Sequence, residues 1–182
     1  MSFRDWIEQP SARLDTTAGF VDGILNALTL ASGKLLASAE APTANLALRV
    51  GAATAATTLF VFFVAHYAER RSELVHAEKE LSLVAHGQLA RGALGRRALK
   101  DAFAAAVLAA VCGLAGAMVP LLLCFVLPAP RWLGVALTIA LLGGLGTVLA
   151  RSFHGDAKYW ALALILGGVA LTWLGLRLQI AG

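Results

Sequence analysis

Three side chains in one short stretch set the chemical question. Asp22, Asn26 and Thr29 lie within TTAGFVDGILNALTLASGK, residues 16–34, which is otherwise apolar. A carboxylate at bilayer depth costs roughly 2.5–3.5 kcal/mol on insertion scales, so it needs a partner, a hydrated cavity or a task. With Gly33, these residues fall at i, i+4, i+7 and i+11 and share one stripe of a helix. Such a stripe must face protein or water. Its oxygens predict a path for a cation or a proton, with Asp22 as the key group. The structural alternative is an Asp that caps a backbone break or pairs with a buried Lys or Arg. No other charge lies deep in an apolar stretch, so that alternative lacks an obvious partner.

A second set follows further along the chain. His66 can bind a metal or relay a proton, and an interfacial histidine doing neither fits the sequence equally. Glu69, Glu73, His76 and Glu80 occupy i, i+4, i+7 and i+11, one face of a continuing helix. Carboxylates with an imidazole could collect divalent iron or manganese. The plainer reading is a solvated face, because Arg70, Arg71 and Lys79 lie nearby. Thr54, Thr57 and Thr58 carry little weight alone, since hydroxyls in membrane helices usually bond their own backbone. His86 and His154, each followed by Gly, read as loop residues.

Composition says what must position these groups. The 182 residues are 59% hydrophobic and 14% charged, against about 25% charged in soluble domains. The fold class expected is an all-α integral membrane protein. A helix needs about 20 apolar residues to cross the hydrocarbon core. Five stretches serve: about 17–38, 50–68, 102–128, 132–150 and 159–176. Residues 1–16 form a cytoplasmic tail, with an interfacial helix anchored by Phe3 and Trp6, and 69–101 form a cytoplasmic helical loop. The stretch MSFRDWIEQPSARLD lacks the short basic region, apolar core and small-residue cleavage site of a secretory signal. Trp132, Tyr159, Trp160 and Trp173 sit near span ends, as interfacial aromatics do.

Basic residues set the orientation. With the N-terminus inside, eleven of the fifteen Lys and Arg fall on the cytoplasmic side. The topology expected is N-terminus in, five spans, C-terminus out. The net charge of +4 is then a topology signal, not a nucleic-acid footprint. Cys112 and Cys124 are separated by about 18 Å of helix, beyond disulfide reach. Gly19 with Gly23, Gly113 with Ala117, Gly143 with Gly144 and Gly167 with Gly168 permit close helix packing. Pro120 predicts a kink in the third span. No nucleotide loop, nucleophile with base or zinc-protease spacing occurs, so no enzyme and no cofactor is expected.

Together these segments resemble the vacuolar iron transporter family. Its first span typically reads like NDGLVTTFAVVAG, and VDGILNALTLASG here keeps Asp22, Gly23, an aliphatic at Ile24 and Gly33. Its third-span pattern GALVPLLPF looks like GAMVPLLLCF, residues 116–125. The resemblance covers about 17–180. It implies five spans, a homodimer with Asp22 on a path between protomers, and Fe²⁺ or Mn²⁺ exported against protons. The family's SMxxGEY stretch looks like VFFVAHY here. Phe62 stands for its methionine, His66 for its glutamate, Thr54 roughly for an earlier acidic residue and Leu123 for a second proline. The cytoplasmic metal-binding domain of longer members has no counterpart in the roughly thirty residues between spans two and three, as in the family's short members. His66 near the cytoplasmic mouth would favour a borderline metal over calcium or magnesium. The metal candidates are thus Asp22, Asn26, Thr29, His66, Glu69, Glu73 and His76. A bacterial inner membrane is the default location. The competing expectation is a non-transporting membrane scaffold or subunit, with Asp22 bonded to Asn26 or to nearby backbone.

Overall fold

The computed structural model describes residues 10–37, 44–80, 92–126, 132–152 and 155–178. Among them lie five helices and no strand: α1 (Pro10–Ala37), α2 (Ala44–Glu80), α3 (Ala93–Val126), α4 (Trp132–Ser152) and α5 (Ala157–Leu178). Four of these, α2 to α5, are long and apolar enough to cross a membrane. The chain is a multi-pass membrane protein by that measure. Phe3, Trp6, His86 and His154 lie outside the described residues.

The remaining helix, α1, has length to spare at 28 residues, yet it is not among those four. The physical reason is its position. It packs against α2, α3, α4 and α5 alike, so much of its surface meets protein. A helix ringed by others does not need apolar residues all round, and Asp22 and Asn26 are tolerated. The helix already runs from Pro10, so residues 10–16 are helical and continuous with the apolar stretch that follows. Pro suits a first turn because its missing N–H would have no helical partner there.

The outer helices form an incomplete ring. α2 packs on α3, α3 on α4 and α4 on α5, whereas α2 and α5 do not touch among the described residues. The core lies where α1 meets its neighbours, with Ile24, Ala27, Leu28, Leu121, Cys124, Val135 and Leu142 buried together. Large apolar side chains such as Phe60, Phe103, Val111, Phe125 and Leu166 point outward. Water would penalise those faces and lipid would not. Trp132, Tyr159 and Trp173 are exposed near helix ends, and the Arg177 guanidinium lies 5.3 Å over the Trp173 ring. α3 continues as helix through Pro120, whose side chain is buried.

Glycines set the closest contact. A Cβ added at Gly19 or Gly23 would overlap the backbone of Ala109 or Gly113, and one at Gly116 would overlap the Phe20 carbonyl. The two small-residue faces let the α1 and α3 backbones touch. Gly19 and Gly23 are therefore spent inside the chain.

Candidate functional site

The polar stripe of α1 runs along the side left open by the incomplete ring. At Asp22 it reaches α2 through Thr58, and further on the Thr29 carbonyl and Ser32 lie against Gly175 of α5. Asp22, Asn26 and Thr29 are all half-buried between those two contacts.

Asp22 has two donors. Asn26 Nδ2 donates to Oδ1 at 3.2 Å from the same helix, and Thr58 Oγ1 donates to Oδ2 at 2.5 Å from α2. No ion pair to Asp22 occurs among the described residues. Thr29 turns to its own helix and donates to the Leu25 carbonyl at 2.8 Å. The sequence-predicted trio thus divides: Asp22 and Asn26 meet, and Thr29 shares their face without joining them.

His66 is not beside Asp22. Its Nε2 lies 2.9 Å from Asp15 Oδ1, and its Nδ1 lies 3.8 Å from Glu69 Oε2. Asp15 precedes Asp22 by two helical turns, about 10 Å of rise. The imidazole therefore supplies no ligand at the level of Asp22 and lies two turns nearer the start of α1. Asp15 is itself buried, ahead of the apolar stretch of α1. Burial pushes its carboxyl above the ordinary carboxylate range, against the lowering pull of His66.

Both pairs belong to one seam. Going from Asp15 to Asp22 along α1 moves the partner from His66 to Thr58 on α2, as antiparallel helices in fixed register require. Phe62 lies between the two on α2, with its ring centroid 6.1 Å from that of His66.

The cytoplasmic face expected on α2 points elsewhere. Glu69, Glu73 and His76 are exposed, and Glu73 pairs with Arg70 at 3.4 Å. The side chain of Glu80 lies outside the described residues. No three His, Cys, Asp or Glu side chains among the described residues gather to hold a metal ion. Glu78, which periodicity did not single out, is the buried carboxylate of this segment among the described side chains.

Two residues of the seam escaped sequence reasoning. Asp15 fell in a supposed tail, although it lies seven residues before Asp22 and so shares its face. Thr58 stands eight residues before His66 on the same face of α2, which its neighbours Thr54 and Thr57 obscure in the sequence. Extending each stripe by two turns would have found both. No family model, curated protein or solved structure matches the chain.

Proposed function

We propose that the chain is a five-span carrier that exports a divalent metal, Fe²⁺ or Mn²⁺, from the cytoplasm in exchange for protons. The observation that carries this reading is Asp22 itself. It sits in the central helix on the side open between α2 and α5, held by Thr58 and Asn26 and by no cation among the described residues. A carboxylate without a fixed counter-charge is able to take a transported one. Protonation from the far side neutralises the carboxylate and releases the metal; deprotonation toward the cytoplasm restores the site. The resemblance of the first and third spans to iron and manganese carriers supplies the metal and the direction.

The open side also supports a homodimer. A second copy packed against the gap between α2 and α5 would cover the stripe of α1 and enclose a path lined by both Asp22 carboxylates. In this reading α1 is the fifth span, the N-terminus is cytoplasmic and the C-terminus is outside, in a membrane of the bacterial inner type.

A specific observation favours a second reading. Both Asp22 oxygens already have donors within one chain, as they would in a scaffold that carries nothing. The test is metal-driven proton flux in proteoliposomes. The carrier reading expects Mn²⁺ or Fe²⁺ gradients to move protons in the wild type and not in Asp22→Asn. A wild type that moves neither metal nor protons leaves the scaffold reading.

A further inference from the structure

Threonines in membrane helices ordinarily bond a carbonyl one turn back. Thr16, Thr17, Thr29, Thr57, Thr138, Thr147 and Thr172 all do so here. Two described threonines depart from that habit. Thr58 gives its hydroxyl to Asp22, and the Thr54 hydroxyl has no partner although the residue is 1% exposed. They stand one turn apart on the same buried face of α2. Across the seam, Asn26 stands one turn beyond Asp22 in the opposite chain direction, so the α1–α2 register sets Thr54 at the level of Asn26.

An unpaired hydroxyl buried this deeply carries a desolvation cost that a valine of the same shape would avoid. We infer that Thr54 and Thr58 are the α2 half of a cation seat whose α1 half is Asp22 and Asn26. The inference rests on the carrier reading and adds both the residues and the kind of ion. The donors are one carboxylate, two hydroxyls and, once the Asn26 amide turns from donating to Asp22, its carbonyl, all oxygen. Such a set suits a hard divalent cation that keeps part of its water, with Mn²⁺ and Mg²⁺ preferred over thiophilic ions. Each seat lies within one chain, so each protomer binds its own ion.

The test measures Mn²⁺ binding to the full chain in nanodiscs by loss of the free-ion electron paramagnetic resonance signal. Thermal unfolding of the same samples without metal is recorded alongside. Thr54→Val should bind Mn²⁺ about tenfold or more weakly while melting no lower than the wild type, because it breaks no hydrogen bond. Thr54→Ser should restore binding. Excess Mg²⁺ should displace Mn²⁺ more effectively than the same concentration of Cd²⁺. Unchanged Mn²⁺ affinity in Thr54→Val, or stronger displacement by Cd²⁺, overturns the inference. Asp22→Asn separates the two levels. Binding lost in Asp22→Asn but kept in Thr54→Val refutes the hydroxyl seat alone. Binding kept in both refutes the carrier reading as well.

Discussion

Thr58 Oγ1 on α2 donates to Asp22 Oδ2 on α1 at 2.5 Å, a bond that joins residues 36 apart in sequence. Hydroxyl bonds to an ionised carboxylate contribute more than neutral ones. Thr58→Val keeps the shape and removes the donor. It should lower stability by about 1–2 kcal/mol, read by thermal or denaturant unfolding in mild detergent. Equal stability of the two proteins would mean that the bond holds nothing in place.

Asp22→Asn should abolish metal-dependent proton flux and leave expression and assembly close to wild type. Asn preserves the size of the side chain, and its carbonyl oxygen still accepts from Thr58. Transport at the wild-type rate would make Asp22 a packing residue.

Gly23→Ala should be among the most damaging small changes in the chain. The new methyl would overlap the Gly113 carbonyl, which is backbone and cannot turn aside. A loss of about 1–3 kcal/mol is expected. Gly167→Ala meets nothing within 4 Å and should be nearly silent. Similar unfolding curves for the two variants would contradict the backbone contact of α1 with α3.

The assembly prediction follows from the open side of α1. In a background lacking Cys112 and Cys124, a cysteine at Ala18, half-buried on α1, should cross-link as a dimer. A cysteine at Gly19 should not, because that position is covered by α3. A monodisperse monomer in nanodiscs would remove the dimer.

Orientation is checked by labelling. In the same cysteine-free background, a cysteine at exposed Ser72 should resist impermeant thiol reagents in intact cells, and one appended after Gly182 should react. The reverse pattern would invert the membrane topology.

How much of this was legible follows from what each signal depends on. Apolar length is local, so the four helices α2 to α5 could be read directly, although α2 runs beyond the apolar stretch 50–68 at both ends and α3 starts well before 102. The stripe of Asp22 and Asn26 was legible for the same reason, since helical spacing alone aligns them. The direction faced by Gly19 and Gly23 was not, because small residues suit any close neighbour and only the fold selects α3. The partner of His66 was equally hidden. Its bond to Asp15 spans 51 residues and depends on the register of two antiparallel helices, which neither helix encodes alone. Thr54 and Thr58 show the limit most plainly. Their sequence surroundings match those of Thr57, yet Thr57 bonds its own helix and they do not.

The glycine contacts between α1 and α3 bear on motion as well as packing. Backbones that touch at Gly19, Gly23 and Gly116 cannot slide or rotate past one another without collision. α1 is tied to α2, by contrast, through side-chain bonds at Thr58 and His66, which can break and re-form. Any opening of this bundle therefore carries α1 and α3 together, as one rigid strut.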